Sequence, residues 1–298
     1  MTPEARALVE SAAALGGESP WRLALARFAA NRAALAGVAL LLAITAFAFL
    51  APLLSPHDME ANDWELIQAA PTLAQSHWFG TDANGRDLFV RVAAGARVSL
   101  AIGLITTLVS VVIGVLYGAI AGYVGGRVDQ AMMRLVDVLY ALPLFFAIII
   151  LVTVFGRNIF LVFLAIGAVE WLTIARIVRG QTLAAKQMEY VEAARSLGAP
   201  ASRIVLRHIV PNVVGPVIVF STLLVPTVIL VESFLSFLGL GVQEPQTSWG
   251  LLISQGTASL DSAPWLLVIP AAFLAATMFA FNFIGDGLRD ALDPRDET

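Results

Sequence analysis

Long unbroken apolar runs dominate the chain, rather than alternation or a one-sided stripe. Six of them predict helices able to cross about 30 Å of hydrocarbon, which takes about 20 residues. They are Ala34–Leu54, Val98–Gly122, Val138–Phe155, Ile159–Ile174, Val213–Gly239 and Ala263–Ile284. Strands of a membrane barrel would alternate instead. Pro52 and Pro56 end the first run, and Gly156-Arg157-Asn158 makes a tight turn between the third and fourth. The first run is too long for the core of a signal peptide and follows about 30 residues of other sequence, so it reads as a retained anchor.

Composition supports the bilayer as solvent. Of 298 residues, 58% are hydrophobic and 13% charged, with a mean hydropathy of +0.82. An ordinary soluble domain is about 45–50% apolar and about 25% charged. A soluble globular enzyme and a disordered chain are both excluded. The net charge of -4 gives no basic face for nucleic acid. The absence of cysteine removes disulfides, thiolate nucleophiles and Cys-ligated metals. The single lysine, Lys186, stands between Ala185 and Gln187. A phosphate-binding P-loop needs Gly-Lys-Ser/Thr, so this chain has no Walker-type ATPase of its own.

The remaining charge is sided. With an inside N-terminus and six spans, 14 of the 18 Lys and Arg residues fall inside; only Arg86, Arg91, Arg97 and Arg157 fall outside. That bias predicts both termini in the cytoplasm.

Two connecting segments are too long to be mere links. The outside segment 55–96 contains Trp64, Trp78 and the run His77-Trp-Phe-Gly-Thr-Asp-Ala-Asn-Gly-Arg-Asp-Leu88. Gly80 and Asn84-Gly85 are turn signals, and Asp82, Arg86 and Asp87 are expected to form a local charged knot. The inside segment 179–211 predicts a helical hairpin. Ala184–Leu197 is rich in helix formers, Gly198 suits a C′ position, Pro200 opens a second helix and Pro211 closes it. Ala193 and Ala194 leave one side thin. Tyr190, Leu197, Ile204 and Leu206 offer apolar knobs, and Glu192, Arg195 and Arg203 offer charge. The hairpin reads either as an amphipathic element on the membrane surface or as a docking element for a cytoplasmic partner.

Inside the spans, Gly114, Gly118, Gly122 and Gly126 recur every four residues, a flat face for close helix packing. Spacing does not say which helix packs there. Glu170 and Glu232 are intramembrane carboxylates, costly by default and therefore candidates for function. Glu170 lies within reach of Arg176. Glu232, with Ser233 and Ser236, either faces a pore or gate or fixes the outer end of the fifth span. Pro216 and Pro226 permit a bend in that span. His57, His77 and His208 show no HExxH spacing and lie in different loops, two outside and one inside, so no shared metal site is expected.

Glu192-Ala-Ala-x-x-x-Gly198, with Ile204 and Pro211 downstream, resembles the EAA motif of ABC-importer permeases. Four further blocks in order narrow the resemblance: Phe79–Leu88, Gly118–Asp129 with Met133–Asp137, Glu232–Gly241 and Asn282–Arg295. Together they resemble the dipeptide/oligopeptide-type "C" permease subunit, which carries an extra N-terminal span. Trp78 and Phe79 depart from the family's Pro-Leu-like pair before Gly-Thr-Asp, at the edge of a loop. The resemblance implies an all-α membrane protein with six transmembrane helices, similar to type I ABC importer permeases, with a cytoplasmic coupling-helix hairpin. It divides the chain into a cytoplasmic segment (1–32), the first span with its extracytoplasmic loop (33–97) and a permease core of five spans (98–298).

In function it implies half of the pore of an ATP-driven importer of di- or oligopeptides working by alternating access. The partners it implies are a related second permease, two cytoplasmic ABC ATPases that hold ATP and Mg, and an extracytoplasmic substrate-binding protein. The chain itself would bind no cofactor and carry no catalytic residue. The coupling role falls on Glu192, Ala193, Ala194 and Gly198, with Arg195 beside them; Thr81, Asp82, Gly85, Arg86 and Asp87 make up the extracytoplasmic loop motif. Relatives of this type also carry glutathione or nickel chelates, and a secondary transporter working without an ATPase is the rival from another class.

Overall fold

A computed structural model describes residues 20–156 and 159–292. Arg6, Arg157 and Arg295, which enter the charge count, and most of the 1–32 segment lie outside the described residues, as does Asn158 of the tight turn. Among the described residues every regular element is helical, apart from one isolated bridge between Thr81 and Asp87.

Pro20–Ala30 (α1) leads to Arg32–Leu54 (α2), capped by the Asn31 side chain, which accepts from the Ala33 and Ala34 amides at 3.0 and 3.1 Å. The helix runs two residues past Pro52 rather than ending there. Leu88–Val124 (α3) starts ten residues before the expected span. Asp87 caps it, accepting from the Val90 amide at 2.9 Å, and Arg91 is neutralised by partners, so its charge does not stop the helix. At about 1.5 Å per residue, its 37 residues make about 55 Å, far more than the hydrocarbon needs.

The expected third span is interrupted. Gly126–Ala141 (α4) and Leu144–Phe155 (α5) are separated at Leu142-Pro143, because proline has no amide to continue the ladder. Ile159–Ala185 (α6) runs eleven residues beyond the fourth expected span. After a turn come Glu189–Ser196 (α7), Ala201–Ile204 (α8), a π turn Val205–Ile209 and Val210–Phe237 (α9). Pro211 does not close a helix. The π turn directly before it, with the Val210 amide reaching Val205 O, shifts the hydrogen-bond register where proline would break it, and Ala201–Phe237 continues as one helix of 37 residues. Trp249–Thr257 (α10) is a short helix that the pattern did not predict, and Trp265–Leu292 (α11) ends the described chain.

Among the described residues, four helices are long and apolar enough to cross a membrane: Arg32–Leu54, Leu88–Val124, Ala201–Phe237 and Trp265–Leu292. The fold also exposes apolar residues that a soluble protein would bury. Leu104, Leu108, Val112 and Leu116 of α3 are exposed, whereas Ser99, Thr106, Thr107 and Ser110 of the same helix are buried. Such a surface fits lipid or another apolar chain.

The glycine stripe finds its partner within the chain. A Cβ at Gly114 would lie 2.7 Å from Ile174, one at Gly118 2.4 Å from the Ala175 carbonyl, and one at Gly122 2.8 Å from Thr182, all on α6. Gly126 does not belong to that face; it meets nothing within 4 Å and instead takes φ +60° at the α3–α4 corner. A second close approach joins α2 to α11, where a Cβ at Gly287 would lie 2.4 Å from Ala34.

Candidate functional site

Three clusters carry the expected site residues. The first is the α7 hairpin. Met188 takes an extended conformation, so α7 starts at Glu189 rather than continuing from Ala184. It ends in a Schellman motif: the Gly198 amide donates to Arg195 O at 3.0 Å and the Ala199 amide to Ala194 O at 3.1 Å. Gly198 has φ +78°, which a side chain would strain. Val191, Ala194 and Ile204 turn inward and join Ala119 of α3, Ile174 and Val178 of α6 and Val213 and Val217 of α9 in one buried cluster. Ala194 and Ile204 are therefore buried, not part of an outer docking face as their side chains suggested. Glu192, Ala193, Arg195 and Gly198 stay exposed, with Tyr190 beside them and Leu197 88% exposed.

Charges brace the helices around this end. Arg179 of α6 holds Asp129 of α4 through two guanidinium nitrogens, Nε and Nη2, at 2.5 and 2.6 Å, and keeps that carboxyl below its ordinary range. Arg176 pairs with Asp137 at 2.9 Å and lies over the Tyr140 ring, rather than turning back to Glu170. Lys186 donates to the Tyr123 carbonyl at 2.6 Å, satisfying an orphan acceptor in the last turn of α3.

The second cluster surrounds Glu232. Glu232, Ser233 and Ser236 are 0%, 5% and 0% exposed. None of them presents a side chain to the surface of this chain. The Glu232 carboxylate accepts from Ser236 Oγ at 2.7 Å, Ser99 Oγ at 3.3 Å and Ser233 Oγ at 3.4 Å. Ser99 in turn accepts from the Trp249 amide at 3.3 Å, and Ser236 from the Val242 amide at 3.0 Å. The carboxylate thus ties α9 to α3, to the 238–248 loop and to α10. Glycine is required here, since a Cβ at Gly241 would lie 2.0 Å from Ser236 Oγ and one at Gly250 2.4 Å from Ser233 Cα. This arrangement fits the fixing of the helix end rather than contact with a passing solute.

The third cluster is the loop before α3. Asp82 Oδ1 accepts from the Asn84 and Arg86 amides at 2.8 and 3.0 Å, and Oδ2 from Arg86 Nε at 2.8 Å and Arg91 Nη1 at 2.7 Å. Glu244 joins from the far side, accepting from Arg86 at 2.8 Å and Gln255 at 2.8 Å. The bond from Arg86 and the neighbouring positive charge pull the Glu244 carboxyl down to about 2. The expected knot exists, but Asp87 is not in it. Asp87 caps α3 and meets His77 Nδ1 at 2.8 Å. Arg91 and Glu244 were missed; the first looked like a loop charge and the second lies 153 residues further on. Thr81 donates to the Leu66 carbonyl and accepts from the Ala69 amide, and Gly85 packs on Asp63, where a Cβ would lie 1.8 Å from its carbonyl oxygen. Trp78 and Phe79, the departure from the family pair, plug an aromatic cluster with Phe47, Phe89 and Phe273. His57 and His77, separate in sequence, stack with centroids 3.9 Å apart.

Residues 114–296 match the family described as "Binding-protein-dependent transport system inner membrane component". The chain belongs to this family. Residues 19–71 match a second family, the "N-terminal TM domain of oligopeptide transport permease C". The inner membrane component is 57% identical over 280 residues to the Oligopeptide transport system permease protein OppC of Escherichia coli (strain K12), covering 94% of this chain and 93% of that one. It is 44% identical over 279 residues to the Dipeptide transport system permease protein DppC of Bacillus subtilis (strain 168), covering 93% and 85%. It is 43% identical over 278 residues to the Glutathione transport system permease protein GsiD of Salmonella typhimurium, covering 93% and 91%. The α7 hairpin lies in the 114–296 match, as does the Glu232 cluster apart from Ser99, while the loop cluster draws residues from both matches and from the stretch between them.

Proposed function

We propose that the chain is one permease half of an ATP-driven peptide importer, with α7 as the element that couples it to an ATPase. The observation that carries this reading is the two-sided hairpin. Val191, Ala194 and Ile204 are sunk in a cluster shared with α3, α6 and α9, while Glu192, Ala193, Arg195 and Leu197 are bare. Force applied to the bare side passes into three long helices through packed side chains, which resist compression. An ATPase dimer that closes on ATP would then rock those helices between outward-open and inward-open states. Six crossings with both termini in the cytoplasm would put the hairpin on the ATPase side, in line with the sidedness of Lys and Arg. The other members of the machine would be a related second permease, two cytoplasmic ABC ATPases binding ATP and Mg, and an extracytoplasmic binding protein. Peptide is favoured over glutathione because the relative at 57% identity is named for oligopeptides and the one named for glutathione stands at 43%.

The test is a five-part complex in proteoliposomes, given labelled di- and oligopeptides and glutathione. Glu192→Arg reverses an exposed charge. Gly198→Pro forces φ to about −65° where the chain has +78°, and deletes the amide bonded to Arg195. Each variant is expected to insert normally, yet to lose the stimulation of ATP hydrolysis by the loaded binding protein and to lose uptake. Wild-type uptake with Glu192→Arg would end the lever reading, and uptake of glutathione but not peptide would end the substrate assignment.

A further inference from the structure

We infer that His57, His77 and Asp87 form a binding site for a borderline divalent cation such as Zn²⁺, which staples the end of α2 to the start of α3. His57 lies three residues beyond Leu54, the last residue of α2, and Asp87 is the cap of α3. The fold brings one ligand atom from each of the three residues within 4.8 Å of one another. A tetrahedral zinc with bonds of about 2.0–2.1 Å needs ligand atoms roughly 3.4 Å apart. Rotation of the two rings out of their stack closes the difference.

The existing contacts already prepare the donors. His57 Nε2 lies 3.1 Å from Gln75 O, a hydrogen bond that requires the proton on Nε2 and leaves the lone pair on Nδ1. His77 Nδ1 and Asp87 Oδ2 already lie 2.8 Å apart, so a cation held by both would take the place of the proton they share. The two rings stack within 14° of parallel, so binding a shared cation turns them out of their parallel planes while keeping them adjacent. Metal ligation needs both imidazoles neutral.

Access and charge also fit. The three residues line an open depression of about 510 Å³, with Asp63 and Glu65 on its wall. Those carboxylates attract a cation and add oxygen donors at the mouth. Two imidazoles with carboxylate select zinc, nickel or copper over magnesium or calcium, which take oxygen alone. The site is independent of the coupling hairpin at the other end of α3, so it stands whether or not the transport reading does.

The experiment uses the full chain, purified with an affinity tag free of histidine and stripped with chelator. ZnCl₂ is titrated by calorimetry, Co²⁺ is followed by its visible absorption, and melting is recorded with and without Zn²⁺. His57→Phe keeps a stacked ring but removes the donor, His57→Asn guards against a packing artefact, and His208→Ala removes the histidine at the far end. The expected result is one Zn²⁺ per chain, bound at least about tenfold more weakly by both His57 variants and unchanged in His208→Ala. Zn²⁺ should raise the melting temperature of wild type and His208→Ala but not of the His57 variants. No binding by the wild type, equal binding by either His57 variant, or equal loss in His208→Ala would each overturn the proposal.

Discussion

Replacing Asp82 with asparagine swaps one oxygen for an amino group, and the geometry says which contacts survive. The Oδ1 contacts to the Asn84 and Arg86 amides persist, because asparagine keeps a carbonyl oxygen. On the other side, an NH₂ group would face Arg86 Nε and Arg91 Nη1, donors against donors at 2.8 and 2.7 Å. Arg86 retains Glu244. Arg91, with a side chain 2% exposed, retains only Gln255 at 3.2 Å and a distant Glu244 at 3.5 Å. Breaking a buried pair in this one-sided way costs about 3–5 kcal/mol, mostly the penalty of the stranded charge. At about 2 °C per kcal/mol for a chain of this size, the melting temperature should fall by roughly 6–10 °C. Tryptophan fluorescence during thermal melting of the purified chain measures it, since Trp265 Nε1 would lie 2.8 Å from a Cβ at Gly80 in the same loop. The decisive comparison is made in an Arg91→Met background. There no charge is stranded, so Asp82→Asn should cost far less, a coupling of about 1–3 kcal/mol. Equal losses in both backgrounds, or a fall of under about 2 °C in the single variant, would refute the stranded-charge account.

Three further outcomes follow from the same contacts. Gly118→Leu should destabilise the chain by about 1–3 kcal/mol by prying α3 from α6, while Gly180→Ala, on a helix face with nothing within 4 Å, should be neutral or stabilising by up to about 1 kcal/mol; paired melting curves check both. Glu244 has a folded pKa depressed to about 2 from an ordinary 4.5, so its contribution is fully present above about pH 4.5 and is lost as pH falls toward 2; melting from neutral pH down to about pH 3 should show a decline that Glu244→Gln reduces. Arg179→Lys gives up one of two bonds to Asp129 at a partly exposed site, and should cost about 0.5–1 kcal/mol and raise the Asp129 pKa, read by melting at neutral and acid pH.

Much of the architecture is local and was therefore legible. Apolar runs must become helices in hydrocarbon because no water satisfies an open backbone. Gly198 must sit in the left-handed region to end α7, and the Asp82–Arg86 turn closes over four residues; all three follow from neighbours in sequence. The ends of the elements were less legible. The apolar run begins at Val98, yet Arg91 is buried because Asp82 and Glu244 neutralise it, so α3 starts at Leu88. Pro211 suggested a stop, and the π turn before it let the helix pass. Pro143, inside an otherwise unbroken apolar run, did stop one.

The chain by itself therefore determined a membrane protein built of helices, one sided in its charge and carrying an amphipathic helical hairpin, because hydropathy, backbone conformation and turn chemistry act over a few residues. Tertiary structure alone decided which surfaces meet. It put Gly114, Gly118 and Gly122 against α6, turned Ala194 and Ile204 inward, brought Ser99 to Glu232 and stacked His57 on His77. Those pairings join residues tens to more than a hundred positions apart, and only the packing of whole helices, each constrained by all the others, chooses among the many faces that local rules allow.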